Sequence, residues 1–183
     1  MRISFSGTFS TGKTTLAEAS YEALSERYPG KVHLIREVAR GVIAKGFQLD
    51  KGATVDSYVN YILAQLRAER EGDAEHVLSD RSLLDLIPYV RLNDDEKIPD
   101  YFVEMLEEVV WRESRFFDVF CYVPIEFPME SDGVRPPDEA YRAAVDTSFV
   151  DVMREFGVSY VRVGGSVAER AARVVEIVEQ SLG

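Results

Sequence analysis

The sequence predicts an α/β fold in which a five-stranded parallel sheet lies between two layers of helices. Short apolar runs alternate along the chain with longer segments of helical periodicity, which is typical of βαβ units and parallel strands. The run 116–123 is apolar except for Asp118, as expected for a central strand covered on both faces. The five runs occupy residues 1–6, 32–35, 76–80, 116–123 and 158–163.

Between these runs, apolar residues recur at intervals of three or four, which predicts helices. Residues 36–40 belong to the end of the second strand and the start of a helix. The other predicted helices are Lys13 to Arg27, Thr54 to Glu71, Leu83 to Leu92, Tyr101 to Arg112, Glu139 to Phe156 and Val167 to Leu182. Residues 124–138 lack periodicity and include four prolines. Because long loops inside compact domains are usually functional, we expect a lid over about 126–142.

Composition sets limits on the function. The chain has 183 residues, which predicts one domain over 1–183. Its net charge of −11 argues against a surface for duplex nucleic acid, which needs clustered cations. The lone Cys121 excludes an internal disulfide and a cysteine zinc site. The sequence shows neither a signal-peptide pattern nor an apolar stretch of about 20 residues, so we expect a cytoplasmic protein without a membrane segment. It leaves open whether the chain forms a homodimer.

Residues 7–14 follow the first run and read GTFSTGKT, which matches the Walker A pattern G-x-x-x-x-G-K-T. In this pattern glycines let backbone N–H groups point inward around phosphates, and the following helix adds its positive end. The alternative is a plain turn before a helix, but strand, spacing, lysine and hydroxyl all agree with a phosphate loop. We therefore predict a nucleoside triphosphate site formed by Gly7, Phe9, Ser10, Thr11, Gly12, Lys13, Thr14 and Thr15.

Within this loop, Lys13 would reach the β- and γ-phosphates and the Thr14 hydroxyl would hold Mg²⁺. Asp80 ends the third strand and is the best candidate for the carboxylate on the metal side, with Asp118 as the alternative. Arg81 would contact a phosphate of the acceptor, unless it forms a surface salt bridge.

Ligands of open α/β sheets bind beyond the carboxyl ends of the strands, where Glu37 and Arg40 follow the second strand. Glu37 would orient or deprotonate an acceptor hydroxyl, or it is an ordinary glutamate at a helix start. Arg135 lies in the proline-bounded loop and Arg142 in the next helix. Both would close over the phosphates like an arginine finger supplied in cis.

These motifs together resemble the P-loop nucleoside and nucleotide kinases, in particular the thymidylate kinase, deoxynucleoside kinase and nicotinamide riboside kinase-like branch, often described as a small AAA-type ATPase domain. The resemblance implies a three-layer P-loop NTPase fold. In those kinases a glutamate after the second strand contacts the acceptor, matching Glu37 in 36–40. Their D-R-Y or E-R-S triplet is similar to 80–82, and their substrate-binding helix is similar to 63–69, which implies substrate roles for Arg67 and Gln65.

Two further stretches resemble the same kinases. Residues 132–135 are similar to the lid with its arginines, and Gly165 falls where such kinases bind the adenine edge with backbone groups. Val38 and Ser82 depart from the family, since Pro and, in thymidylate kinases, Tyr are usual there. The acceptor therefore stays open between a nucleoside, a nucleoside monophosphate and another metabolite.

The predicted function is an ATP- and Mg²⁺-dependent phosphotransferase that moves the γ-phosphoryl group of ATP to a small molecule, a nucleoside or a nucleoside monophosphate. The alternative is a nucleotide-dependent ATPase switch acting on a protein partner. A guanine-reading N-K-x-D motif is missing, because residues 93–96 read NDDE. That observation argues against a GTPase switch but leaves an ATP-driven switch open.

Overall fold

The computed structural model describes residues 1–36, 38–49, 52–93, 98–129 and 138–181, and in them five strands form one parallel sheet. The strands are β1 (Arg2–Ser6), β2 (Val32–Ile35), β3 (His76–Asp80), β4 (Val119–Tyr122) and β5 (Tyr160–Arg162). Their order across the sheet is β2-β3-β1-β4-β5, and all neighbouring pairs are parallel. The predicted three-layer α/β fold is confirmed.

The described residues contain seven α-helices and two short 3₁₀ turns. The helices are α1 (Lys13–Arg27), α2 (Val38–Ile43), α3 (Val55–Arg70), α4 (Leu86–Arg91), α5 (Asp100–Glu113), α6 (Glu139–Glu155) and α7 (Val167–Ser181), and the turns are Leu83–Asp85 and Ser114–Phe116. Thr54 caps α3 by accepting a hydrogen bond from the Ser57 N–H, and Asp138 caps α6 by accepting one from the Tyr141 N–H. These side chains satisfy N–H groups that a helix start leaves free.

Two predicted elements differ in their bounds. The fourth strand begins at Val119 and not at 116, because a 3₁₀ turn over Ser114–Phe116 extends the preceding helix. The predicted helix 83–92 is divided into the turn Leu83–Asp85 and α4. Pro88 is the third residue of α4, where a missing N–H removes no bond within that helix.

The two faces of the sheet carry separate apolar clusters. On one face, strand residues such as Phe5 and Cys121 pack with Leu16 of α1 and Val174 of α7. On the other face, a larger cluster joins β4 to residues of α3 to α6, and it includes Tyr58, Phe102, Phe120, Tyr122 and Phe149. The alternation along β4 follows from the period of two of a strand. The sheet is thus covered on both sides, with its carboxyl edge left for the loops.

The parallel arrangement places the ends of β1 and β3 side by side, with Phe5 opposite Asp80. The phosphate loop follows β1 and the 80–82 segment follows β3, so both predicted sites meet at this edge. Among the helices of the described residues, none has the length and apolar character needed to cross a membrane.

Candidate functional site

The phosphate loop curls between β1 and α1 and lies against the end of β4. Gly7 has a φ of 145°, and a Cβ at this position would lie 2.6 Å from the Val123 carbonyl oxygen. Gly12 has a φ of 83° and precedes the first residue of α1. The positive φ disfavours any residue with a side chain at both positions. At Gly7 a side chain would also collide with the Val123 carbonyl. The two glycines of the motif are therefore explained by backbone geometry.

Lys13 is folded into the loop. Its Nζ donates hydrogen bonds to the Thr8 carbonyl and, over 3.3 Å, to Thr11 Oγ1. Burial, reinforced by the Arg81 cation, lowers the pKa of Lys13 to about 7, against the opposing effect of Asp85 and Asp80. The ammonium thus lies where a phosphate would replace the carbonyl as its partner.

Thr14, which follows Lys13, and Asp80 place two side-chain oxygens next to each other. Thr14 Oγ1 donates to Asp80 Oδ2 over 2.7 Å, and Asp80 Oδ1 is buried without a hydrogen-bond partner in the described residues. Hydroxyl and carboxylate oxygens suit Mg²⁺, which prefers hard oxygen ligands and keeps several waters. Asp118 lies at the amino end of β4 and accepts a hydrogen bond from the Arg2 N–H over 2.7 Å. The geometry therefore favours Asp80 over Asp118.

Arg142 of α6 holds the phosphate loop in place by hydrogen bonds to its backbone, and we call such an arginine a brace. Its fully buried guanidinium donates to the carbonyls of Phe9 (3.2 Å), Ser10 (2.6 Å) and Phe127 (3.0 Å). Glu139 lies 3.2 Å from the same group. We expected Arg142 to close over the phosphates, but here its N–H groups are directed to backbone carbonyls. In this structure Arg142 holds the loop backbone, and its closure over the phosphates stays a prediction.

Arg170 of α7 is a second brace, which the sequence did not reveal. Its guanidinium donates to the carbonyls of Thr11 (3.0 Å) and Gly165 (2.8 Å) and to Glu126 Oε2 (2.7 Å). Arg170 shares the buried face of α7 with Val174 and Val178 at intervals of four. A charged residue in this apolar stripe is the signal that would have indicated it.

Gly165, expected at the adenine edge, has both backbone groups engaged. Its N–H donates to Glu126 Oε2 over 2.8 Å, and its carbonyl accepts from Arg170. The structure therefore places Gly165 in contact with the brace. A base could use this N–H only if the Glu126 carboxylate moved away.

A small pocket, with a cavity volume of about 40 Å³, lies beside the segment that follows β3. It has apolar walls and two charged groups, and it is lined by Ala39, Leu49, Tyr61, Arg81, Asp85, Leu86 and Tyr89. Arg81 has a φ of 91°, a conformation that costs about 1 kcal/mol or more for a residue with a side chain. Its carbonyl is held by Ser79 Oγ at 2.6 Å and Gln65 Nε2 at 3.4 Å.

Asp85 is the second functional candidate that the sequence analysis missed. Its Oδ2 accepts hydrogen bonds from Ser6 Oγ (2.8 Å), the Ser82 N–H (3.1 Å) and Ser82 Oγ (3.3 Å). Its Oδ1 lies 3.7 Å from Arg81 Nη1. Burial raises the pKa of Asp85, with Arg81 and Lys13 opposing that effect. A single acid inside the apolar run 83–88 was the available signal.

The remaining predicted residues are placed differently. Gln65 is fully buried and donates to Glu69 Oε1 over 2.8 Å, so it supports the turn at Arg81 from behind the pocket. Arg67 lies on the opposite, exposed face of α3, and Arg40 is exposed on α2. Thr15 is exposed in the first turn of α1. Glu37 and Arg135 lie outside the described residues, as does the middle of the expected lid, 130–137.

The fold and the loop define a nucleotide-binding P-loop protein of the kinase-like type. The chain belongs to the AAA domain family, whose model matches residues 2–170. No curated protein matches it in sequence.

Solved structures of similar fold include thymidylate kinase from Ehrlichia chaffeensis, with a TM-score of 0.67 and 18% identity over 97% of this chain and 98% of that chain. Deoxyadenosine kinase from M. mycoides has a TM-score of 0.68 and 14% identity over 98% and 100% of the two chains. NadR protein in complex with NR has a TM-score of 0.71 and 20% identity, and it covers 97% of this chain and 50% of that chain. At these identities the likeness is one of fold.

Proposed function

We propose that this protein is an ATP- and Mg²⁺-dependent phosphotransferase that transfers the γ-phosphoryl group of ATP to a nucleoside or nucleoside monophosphate. The observation that carries the proposal is the contact between two sites at one edge of the sheet. Thr14 of the loop donates a hydrogen bond to Asp80 over 2.7 Å, and Ser6, which precedes the loop, donates one to Asp85 over 2.8 Å. Asp85 and Arg81 line the pocket. A donor phosphate and an acceptor group would therefore meet there.

The donor would be held mainly by backbone. The loop N–H groups and the start of α1 would bind the β- and γ-phosphates, and Lys13 would exchange the Thr8 carbonyl for a phosphate oxygen. Thr14 and Asp80 would hold Mg²⁺, which supplies positive charge between the phosphates. The loop backbone would need little rearrangement, because Arg142 and Arg170 already hold the carbonyls of Phe9, Ser10 and Thr11.

The acceptor would lie in the pocket with its reacting oxygen toward the loop. That oxygen bonds to the γ-phosphorus while the bond to the β–γ bridging oxygen breaks, and ADP leaves with the electron pair. The acceptor proton passes to a carboxylate base, for which Glu37 remains the prediction. Arg81 would orient the acceptor, and Arg135 remains the predicted lid arginine. Both roles follow from residue type and position.

The structural neighbours support this reaction class. Their names include thymidylate kinase and deoxyadenosine kinase, and one structure is of NadR protein in complex with NR. ATP is an intracellular metabolite, and a lone buried thiol needs no oxidising compartment. We accordingly propose a cytoplasmic site of action.

A product assay tests the proposal. Purified protein is incubated with ATP, Mg²⁺ and a panel of nucleosides and nucleoside monophosphates, and products are identified by mass spectrometry. The Lys13→Ala variant, which removes the loop ammonium, serves as the blank. We expect a phosphorylated product that is lost in the variant. An unchanged yield with Lys13→Ala would show that the donor site is wrong, and steady ADP release without product would favour an ATPase switch.

A further inference from the structure

We infer that the acceptor is an uncharged nucleoside, not a nucleoside monophosphate, and that Asp85 is the residue that sets this preference. The inference rests on the proposed function and concerns the same pocket. It is carried by the ion pair of Arg81 with Asp85 in the lining. It is also carried by Asp85 Oδ1 and the Tyr89 hydroxyl, which are buried without a hydrogen bond in the described residues.

The charges of the described lining cancel. Arg81 is its one cation and Asp85 its one anion, and they lie 3.7 Å apart. Sites that bind phosphate esters normally present several cations, because a phosphate monoester carries between one and two negative charges near neutral pH. A monophosphate in this pocket would find Arg81 shared with a carboxylate and would be repelled by that carboxylate.

The position of Asp85 strengthens this argument. Its Oδ2 accepts a hydrogen bond from Ser6 Oγ over 2.8 Å, and Ser6 ends β1 next to the phosphate loop. Asp85 therefore lies on the side of the pocket that faces the proposed donor. The reacting end of an acceptor must lie on this side. A hydroxyl group can approach Asp85 there and donate to it, whereas a phosphate dianion has no O–H to donate and is repelled by the carboxylate.

Two buried oxygens in the lining lack partners in the part of the chain that the structure describes: Asp85 Oδ1 and the Tyr89 hydroxyl. Buried polar atoms are nearly always hydrogen-bonded, so a ligand hydroxyl in the pocket would find an acceptor in Asp85 Oδ1, whose nearest described cation, Arg81, lies 3.7 Å away, and a partner in the Tyr89 hydroxyl. Leu49, Leu86 and the Tyr61 ring supply apolar walls. A nucleoside has the matching chemistry: its flat base suits the apolar walls, and its sugar hydroxyls suit the two buried oxygens.

The test compares matched pairs of acceptors. Adenosine, cytidine, thymidine and nicotinamide riboside are each assayed beside their 5′-monophosphates with ATP and Mg²⁺, and kcat/KM is measured for each. We expect at least one nucleoside to exceed its monophosphate by about 10-fold or more. A preference for monophosphates would overturn the inference while leaving the kinase proposal in place. Product from neither class would overturn both.

Asp85→Asn tests the residue itself. Removing the carboxylate charge should lower kcat/KM for the nucleoside by about 10-fold and, at the same time, strengthen inhibition by its monophosphate. A loss of fold would weaken both together, so opposite changes identify a specificity role. The matched control is Asp146→Asn, which removes another carboxylate that acts on Lys13 but does not line the pocket. The control should keep the wild-type preference.

If Asp85→Asn does not fold, Tyr89→Phe gives an independent test. It removes a hydroxyl that has no partner in the described part of the chain and keeps the ring in place. We expect a higher KM for the nucleoside with little change in inhibition by the monophosphate. Unchanged kinetics for the nucleoside in both variants would overturn the inference.

Discussion

The donor side and the acceptor side of the site are built in different ways. The donor side is one contiguous loop, 7–14, whose carbonyls are held by the buried guanidinium groups of Arg142 and Arg170. The acceptor side collects side chains from residue 39 to residue 89 around a charge pair. In the proposed reaction, phosphate would therefore be bound by loop backbone that Arg142 and Arg170 hold in place. The choice of acceptor, in contrast, would depend on a few side chains that the fold brings together.

The largest effect on stability and on ATP binding is expected from removing the guanidinium of Arg142. Arg142→Met leaves the carbonyls of Phe9, Ser10 and Phe127 without their donor, so the free energy of unfolding should fall by about 3 kcal/mol. ATP should also bind at least about 10-fold more weakly, because the loop is no longer fixed. Chemical denaturation and calorimetric titration measure these two quantities.

Arg154→Met is the matched control for the brace. Arg154 lies on the same helix, and its ion pair with Asp151 is at the surface, with 73% of the arginine side chain exposed. Surface pairs contribute little, so this variant should stay within about 0.5 kcal/mol of the wild type. Equal losses in the two variants would mean that Arg142 acts through the helix and not through the loop.

The next effect distinguishes the two carboxylates that the sequence offered for the metal. Asp80→Asn weakens the oxygen pair with Thr14, so turnover with Mg²⁺ should fall by about 100-fold. Asp118→Asn changes a residue that bonds to the Arg2 N–H at the other end of the sheet, and turnover should stay near the wild-type value. Steady-state rates over a Mg²⁺ titration provide the measurement. A larger loss for Asp118→Asn would contradict the assignment.

A third effect concerns protons on the donor side. The pKa of Lys13 is lowered to about 7, and a neighbouring phosphate would raise it again. ATP binding near pH 8 should therefore take up a fraction of a proton, and affinity should fall as pH rises above 7. Calorimetry in two buffers of different ionisation enthalpy measures the uptake. Lys13→Arg should abolish it, since a guanidinium stays charged; uptake that persists in this variant would place the titrating group elsewhere.

The contrast between the two sides also explains what the sequence could predict. The order of strands and helices and the phosphate loop follow from local patterns, so the fold class and Lys13 were accessible. The bracing role of Arg142 was not, because it depends on α6 packing behind a loop more than 130 positions away. Asp85 was missed because its hydrogen bond from Ser6, 79 positions away, forms only when β1 and β3 pair.

The smallest effect concerns Glu69, which contacts Gln65 behind the pocket and whose pKa makes stability depend on pH. Burial raises the pKa of Glu69 from 4.5 to about 7, so the folded chain binds more protons than the unfolded chain between these values. The contribution of Glu69 to the free energy of unfolding should therefore fall as pH rises from 4.5 to about 7, by on the order of 1 kcal/mol per pH unit. Denaturation of Glu69→Gln should lack this slope. Glu71→Gln, at an exposed neighbouring position, should retain it; an identical slope in all three proteins would refute the prediction.

The most direct measurement is the balance of phosphoryl groups in a single reaction with ATP, Mg²⁺ and the nucleoside panel. ADP, free phosphate and phosphorylated nucleoside are quantified in the same sample over time. A site that joins a braced donor loop to an acceptor pocket predicts one phosphorylated nucleoside for each ADP, with little free phosphate. ADP matched by free phosphate, with no phosphorylated nucleoside, would contradict phosphoryl transfer as the function.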